Sequence, residues 1–402
     1  MNKREIQIKV VSLFDGVSCG HVALDRAGIA VSLYEAFETD KYAKAISRCN
    51  YPDIRQHGDV LTADFSRFAG YDLVMGGSPC TFWSIAKTNR EVDRTGVGWK
   101  LFMRFALAVR QIKPRYFLYE NVASMPSNIK SYISEELGCE PILINSALVS
   151  AQHRKRLYWT NIEGLTQPDE KGILLKDILE TGLTAREKSY CIDACYYKGG
   201  SKTRLDNQSG KRQMIYEPVA FDVDSRTLLM TRRHEENTMS DEIGAAIRTR
   251  NDKEGSFKRL EVRGDGKLLN ALTTVQTDSV VCSPIRAGSP NADGQYSRIY
   301  SIRGNTVSLI NSGGGHGGKV GQYKINLPDG DYTVRKLTPI EAERCQTLND
   351  DYTAMGVDDT GKTVRISNTQ RYKCIGNGWT ADVIAHILGF TDLGEERIKN
   401  ER

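Results

Sequence analysis

The stretch Ile6-Gln7-Ile8-Lys9-Val10-Val11-Ser12-Leu13-Phe14-Asp15-Gly16-Val17-Ser18-Cys19-Gly20 decides the fold. Ile6, Ile8 and Val10 alternate with polar neighbours, the period of a strand. The run breaks at Phe14-Asp15-Gly16, after which His21 to Ala27 reads as helix. A strand that turns tightly into a helix brings backbone N–H groups and a helix N-terminus to one point, where a ligand can be held. Alone, such a turn serves structure as readily as binding.

Working outward, strand-like runs recur at Val31 to Tyr34, Asp72 to Met75, Tyr116 to Tyr119, Ile142 to Ile144 and Leu157 to Trp159. Leu101, Phe105, Ala108 and Ile112 stand at helical spacing between two of them. This alternation predicts an α/β domain with a mainly parallel sheet covered on both faces. From about Ser189 the chain turns rich in Gly, Ser, Asn, Thr and Arg, which predicts a second domain. There, Ala246-Ile247-Arg248-Thr249, Ala271-Leu272-Thr273-Thr274 and Thr306-Val307-Ser308-Leu309 hint at repeated hairpins, and Ser312-Gly313-Gly314-Gly315-His316-Gly317-Gly318 reads as a flexible loop or linker. After Leu337 the helical pattern returns, starting at Thr338-Pro339-Ile340-Glu341 and ending with a helix over Ala381 to Leu388. The expected division is 1–188, 189–331, and a C-terminal segment 332–402 that returns to the first domain.

At 402 residues the chain is long enough for two or three domains, and its formal net charge of +5 suits a polyanionic partner without singling one out. No apolar run nears the ~20 residues of a membrane-spanning helix, so no membrane partner is expected. Nine cysteines without paired C-x-x-C sets give no zinc framework; Cys191 and Cys195 alone are too few, and no metal is expected. Their odd number, with no apolar segment at the start, predicts a reducing, cytoplasmic setting.

Acidic residues sharpen the reading of the first turn. Glu38 follows the second strand, where a carboxylate can hold ribose hydroxyls, and Asp59 follows the third, where it can accept from an adenine amino group. Either could be a surface acid, but three strand-end features in order favour a nucleoside cofactor. The fourth strand ends in Gly76-Gly77-Ser78-Pro79-Cys80, a sharp turn that should project a thiol at the carboxyl edge of the sheet. That thiol needs its pKa lowered to ionise near neutrality, by a basic group or a helix N-terminus. The next strand ends in Glu120-Asn121-Val122, so an acid joins the nucleophile at the same edge. Arg154 and Arg156 alternate onto one side of a further strand, where they could hold a base carbonyl or a phosphate.

Together these residues resemble the cytosine-5 DNA methyltransferase family across nearly the whole chain. Phe14-Asp15-Gly16, Glu38, Asp59, Ser78-Pro79-Cys80, Leu101-Phe102, Glu120-Asn121-Val122, Arg154-x-Arg156, Arg335-x-Leu337-Thr338 and Gly376-Asn377-Gly378 occur in the family's order. Leu13-Phe14-Asp15-Gly16, Gly76-Gly77-Ser78-Pro79-Cys80 and Val149-Ser150-Ala151 look like the animal de novo enzymes, whereas the chain's size resembles a bacterial or phage enzyme.

The resemblance implies a Rossmann-like S-adenosylmethionine-dependent methyltransferase domain with a mostly parallel mixed sheet, plus a smaller, irregular β-rich target-recognition domain. It implies that S-adenosylmethionine is held by Phe14, Asp15, Gly16, Ser18, Glu38, Thr39, Asp59, Val60, Ser78, Pro79, Leu101, Asn377 and Trp379, with S-adenosylhomocysteine as product. It also implies that Cys80 attacks carbon 6 of a flipped cytosine, that Glu120 protonates ring nitrogen N3, and that Arg154 and Arg156 hold the base or its flank. The loop Thr81 to Gly98 looks like one that closes over DNA.

The implied partner is double-stranded DNA, bound by a monomer, and a cognate restriction endonuclease is a candidate companion. Four positions depart from the family: Ser18 replaces a second glycine, Thr39 a frequent aromatic, and Gly378-Trp379 the common Ser-Val. Rival readings are an RNA cytosine-5 methyltransferase of the same fold and a non-catalytic DNA-binding regulator.

Overall fold

A computed structural model describes residues 7–85, 87–199, 212–218, 243–252, 255–263, 280–282, 286–288, 299–301, 323–325 and 332–394. They belong to two compact units, one of 1–174 with 191–197 and 339–402, the other of 175–190 with 198–338.

The first unit is built on β1 (Gln7–Leu13), β2 (Ala30–Phe37), β3 (Arg55–His57), β4 (Leu73–Gly76), β5 (Tyr116–Val122), β6 (Ile142–Asn145) and β7 (Lys155–Thr160). Their order in the sheet is β3-β2-β1-β4-β5-β7-β6. The first five strands run parallel, and β7 lies antiparallel to both β5 and β6. Helices are α1 (Cys19–Arg26), α2 (Lys41–Asn50), α3 (Val97–Ile112), α4 (Ser127–Leu137), α5 (Pro339–Cys345), α6 (Asn368–Asn377) and α7 (Ala381–Leu388).

Alternation along each strand divides the core between the two faces of the sheet. Val11, Leu13, Val74, Tyr119 and Trp159 pack with Phe102 and Phe105 of α3 and Ile129 and Ile133 of α4. Val10, Leu73, Met75 and Leu118 pack with Ala23 and Leu24 of α1 and Val383, Ile384 and Ile387 of α7. The C-terminal helix is therefore part of the first core, 356 residues along the chain from its ion-pair partner in α1, where Arg26 meets Asp382 at 2.6 Å. The short strand β3 and helices α2, α4 and α6 complete the unit. In α2 the buried positions are Ala43, Ala45, Ile46 and Ser47.

In the second unit, β8 (Met214–Pro218) pairs antiparallel with β15 (Tyr332–Lys336). A hairpin of β9 (Ile243–Asp252) and β10 (Gly255–Arg263) is extended by β11 (Val280–Cys282). A further sheet joins β12 (Arg286–Gly288), β13 (Ile299–Ser301) and β14 (Tyr323–Ile325). Ala246 to Thr249 lie in β9, whereas the similar pieces at 271–274 and 306–309 and the glycine run 312–318 lie outside the described residues. Among the described residues no helix is long and apolar enough to cross a membrane.

Candidate active site

Sheet register sets the site. Leu13 lies opposite Phe37 and Gly76, and Gly76 opposite Tyr119, so Phe14, Glu38, Gly77 and Glu120 leave the same edge side by side. The first turn needs left-handed backbone at Phe14, Gly16 and Ser18, with φ of 57°, 61° and 62°. Hydrogen bonds to Asp15 hold the turn in shape. Ser18 Oγ donates to Asp15 Oδ2 at 2.5 Å, and Tyr34 Oη donates to Asp15 Oδ1 at 2.7 Å. Both oxygens of Asp15 are thus engaged within the protein, where burial pushes its carboxyl above the usual range. Its contribution to a cofactor site is to shape the turn.

Glu38 ties that turn to the next strand. Its Oε2 accepts from Gly16 N at 2.9 Å, and its Oε1 accepts from the N–H groups of Thr39 and Asp40 at 2.7 and 2.8 Å. Burial pushes its carboxyl up in spite of these donors, while Thr39 itself is exposed. Asp59, exposed after β3, caps a short 3₁₀ turn through Leu61 N at 2.9 Å. The adjacent Val60 is buried, and its carbonyl accepts from Arg104 Nε at 2.7 Å. Leu101 is half-buried on α3, Pro79 is exposed after β4, and Asn377 is exposed at the end of α6.

Cys80 opens a 3₁₀ turn, Cys80–Phe82, and is half-buried. The preceding Ser78 is fixed by a 2.6 Å bond between its hydroxyl and Tyr119 Oη, and its carbonyl accepts from Asn121 Nδ2 at 3.1 Å. The asparagine beside Glu120 therefore ties the cysteine turn to β5. Burial pushes the Cys80 thiol above its ordinary value, and Glu120 pushes the same way; Arg156 and, less, Arg154 pull it down without prevailing. Basic groups that can lower it are thus present, but desolvation outweighs the two guanidinium groups.

Glu120 is buried, at 8% exposure, and both its oxygens are held. Arg156 Nε lies 2.8 Å from Oε1, and the indole N–H of Trp379 donates to Oε2 at 2.9 Å. Arg156 reaches it because β7 pairs Arg156 with Val122, two residues along the same face of β5.

Arg154 does something else. Its guanidinium donates to the carbonyls of Ile192 at 3.0 Å, Gly376 at 3.4 Å and Gly378 at 2.7 Å, and it touches Cys191 Sγ at 3.3 Å. The two arginines thus differ in partners: Arg154 is a buried brace for backbone, and Arg156 is the arginine at the carboxylate. The indole N–H of Trp379 is engaged with Glu120.

Residues the motifs did not reveal support this arrangement. Buried Gln152 donates to Cys345 O at 2.6 Å and to Gln346 Oε1 at 2.8 Å, and accepts from Ile192 N at 3.2 Å. Gln346 donates to Ile375 O and Gly378 O at 2.9 and 3.2 Å. Gly376 is required because a Cβ there would stand 2.2 Å from the carbonyl carbon of Asp193. Cys191, contacted by Arg154 and at 3.9 Å by Arg156, has its thiol held below the ordinary value: burial opposes ionisation, and the two guanidinium groups overcome it. An amide just before a strand and a glycine in the last turn of a helix give no sequence signal of such pairing, since their partners are far along the chain.

The segment 81–98, described except for residue 86, is tied to Ser124, just after β5, and to α4. Arg90 donates to Ser124 O at 2.8 Å, Asn128 donates to Val92 O, and Arg94 pairs with Glu135. Glu91 caps α3 by accepting from Val97 N and Gly98 N at 3.0 and 2.9 Å.

The model of the C-5 cytosine-specific DNA methylase family matches residues 8–390. The orphan methyltransferase M.SPRI of Bacillus phage SPR is 25% identical, over 95% of this chain and 97% of its own. The type II methyltransferase M.HhaI of Haemophilus parahaemolyticus is 26% identical, over 96% and 94%. Among solved structures, the methyltransferase EhMeth of Entamoeba histolytica superposes with a TM-score of 0.52 at 11% identity, covering 96% of this chain and 97% of its own. A DNMT2 of Spodoptera frugiperda gives a TM-score of 0.51 at 13% identity, covering 96% and 99%. At such identities the structures speak for the fold alone.

Proposed function

Since the chain belongs to the C-5 cytosine-specific DNA methylase family, we propose that it methylates carbon 5 of a flipped cytosine in a specific sequence of double-stranded DNA, through a covalent Cys80 adduct at carbon 6. The observation that carries this reading is the convergence of three side chains: Arg156 bonds Glu120 at 2.8 Å and acts electrostatically on Cys80.

The family and the fold imply S-adenosylmethionine. The donor set fits it, with acceptor carboxylates at consecutive strand ends beside the N-terminus of α1, suited to the hydroxyls and amino group of an adenosine. Glu38, with Thr39 beside it, would meet the ribose and Asp59 the adenine amino group. Phe14, Gly16, Val60 and Leu101 would line the site, Asp15 and Ser18 would keep its turn in shape, and Ser78, Pro79 and Asn377 would close its rim. When bound, the cofactor supplies an electrophilic methyl group on a sulfonium.

The protein's own residues then activate the base. Inside the duplex neither face of the ring is open to attack, so the cytosine leaves the stack at a cost of a few kcal/mol, offset by contacts to DNA. Cys80, as thiolate, forms a bond to carbon 6; the ring electron pair moves toward N3, where Glu120 holds a proton, and carbon 5 becomes nucleophilic. Arg156 keeps Glu120 in place and favours the thiolate. After carbon 5 has been methylated, the N3 proton returns to Glu120, the carbon-5 proton is lost to solvent and Cys80 leaves with the carbon–sulfur electron pair, restoring the aromatic ring. Residues 189–331 would read the target sequence.

The purified protein is expected to transfer labelled methyl groups to duplex DNA and not to transfer RNA, and Cys80→Ala to stop turnover with cofactor affinity kept. Failure to methylate DNA of any sequence, or full activity in Cys80→Ala, would overturn the reading. Bisulfite sequencing of DNA from expressing cells would then give the target sequence. M.SPRI, an orphan enzyme by description, supports action without a companion endonuclease; survival of cells that make this protein and then lose it is the expected result.

A further inference from the structure

Trp379 stands at a position where the sequence departs from its family, and its surroundings give it a task. Its indole Nε1 donates to Glu120 Oε2 at 2.9 Å, while Arg156 Nε holds Oε1 at 2.8 Å. Two donors from two elements, one on each oxygen, determine the plane of the carboxyl group. Gly77 leaves room for them: a Cβ there would stand 2.8 Å from Glu120 Oε2 and 3.2 Å from Trp379 Nε1.

Trp379 is itself held from both sides. The carbonyl of Gly378 accepts from Arg154 at 2.7 Å and from Gln346 at 3.2 Å, and the hydroxyl of Thr380 donates to Gln346 Oε1 at 2.8 Å. The buried amide and guanidinium groups that seemed remote from the chemistry thus bear on one indole.

We infer that Trp379 is a positioning residue that fixes the Glu120 carboxyl for its contact with ring nitrogen N3 of the target base. The inference rests on the role proposed above for Glu120. A carboxyl group has about four lone-pair sites, so both donors can stay while the base approaches. Without the indole, Oε2 has no other donor among its described partners, and the group is free to rotate about its terminal bond. Rotation moves the proton away from N3 in a fraction of encounters, which slows activation of the base and leaves cofactor binding alone.

Trp379→Phe keeps the ring packed and removes the N–H. Three quantities are measured in it: equilibrium affinity for S-adenosylmethionine, single-turnover methylation, and release of tritium from carbon 5 of cytosine in duplex DNA without cofactor. Tritium release needs only addition of the Cys80 sulfur at carbon 6, protonation of carbon 5 by solvent, loss of the tritium and departure of Cys80. The expected result is a fall of about tenfold in both methylation and tritium release, the effect of losing one charge-assisted hydrogen bond, with affinity unchanged within about twofold.

In a Glu120→Ala background, the same change should cause no further fall, because the group it positions is gone. Wild-type tritium release in Trp379→Phe, an equal fall with Glu120 absent, or weakened cofactor binding as the sole effect would each overturn the inference. If Glu120→Ala itself matched the wild type, the reading of Glu120 would fail instead. Should Trp379→Phe not fold, by circular dichroism, Trp379→Tyr with the same three readouts decides.

Discussion

Two arginines two residues apart should fail in different ways when removed. Arg154 is 4% exposed, and Arg154→Ala strips a donor from the buried carbonyls of Ile192, Gly376 and Gly378. Gly378 O keeps Gln346 at 3.2 Å, so the loss falls chiefly on the other two. At about 1–3 kcal/mol for each buried group left without a partner, with the lost packing of the side chain added, the variant should lose about 3–5 kcal/mol of stability. For a unit of this size that is a fall in Tm of roughly 10 °C.

Arg156→Ala removes one of two partners of Glu120, whose side chain retains 11% exposure and the Trp379 bond, and should cost less than about 2 kcal/mol. It should nonetheless lower methylation by at least about a hundredfold, because the acid loses its cationic partner and the thiol loses the strongest influence toward ionisation. Urea unfolding followed by circular dichroism, with single-turnover methylation of the same samples, separates the two. Equal midpoints for Arg154→Ala and the wild type, or equal destabilisation by both substitutions, would refute the division of labour.

The remaining expectations are narrower. Because burial holds the Cys80 thiol above its ordinary value, the neutral form prevails near neutrality and the thiolate fraction grows about tenfold per pH unit below the pKa; covalent trapping on duplexes containing 5-fluorocytosine should therefore speed up from about pH 6 to 9, and a flat or falling profile would count against Cys80 as the attacking group. Cys191 shifts the other way, so iodoacetamide labelling followed by mass spectrometry should show its half-maximal rate at a lower pH than that of Cys80, and the reverse order would mean that the arginines do not govern it. Gly376→Ala would place a methyl 2.2 Å from backbone at Asp193 and should cost more than about 2 kcal/mol in urea unfolding. Tyr119→Phe takes away the hydroxyl that Ser78 and Asn121 share, at 2.6 and 3.2 Å, and should reduce stability by about 1–2 kcal/mol while slowing trapping at Cys80.

Much of the sheet was legible because strand periodicity is local. Val10 and Val11 announce opposite faces by adjacency, and the turn at Phe14-Asp15-Gly16 marks where the strand must stop. The neighbourhood of Cys80 and Glu120 follows from the same strands, since the turn after β4 and the end of β5 lie at one edge of the sheet. The α2 helix is less plain, since Ile46 is the one large aliphatic residue among its buried positions, although Lys41, Lys44 and Arg48 mark the opposite side. In the second unit the alternation is visible in β9 and β10, but nothing in their residues says which strands they meet.

What the sequence could not reveal is which of several similar side chains takes which partner. Arg154 and Arg156 share a charge and, by period, a side, yet Arg154 stands just before the strand and is engaged by the carbonyls of residues 222 and 224 positions away. Once those carbonyls claim Arg154, Arg156 is left as the cation at Glu120, and the second oxygen of that acid falls to a tryptophan 259 residues away. The long-range backbone bonds thus come first in the physical order: they determine where Gly378 and Trp379 stand, and through them how the carboxyl group faces. A substitution that loosens the buried glutamines, such as Gln346→Ala, should for that reason slow base activation although the residue meets neither the base nor Cys80, and unaltered tritium release in a folded Gln346→Ala protein would break the chain of dependence at its first link.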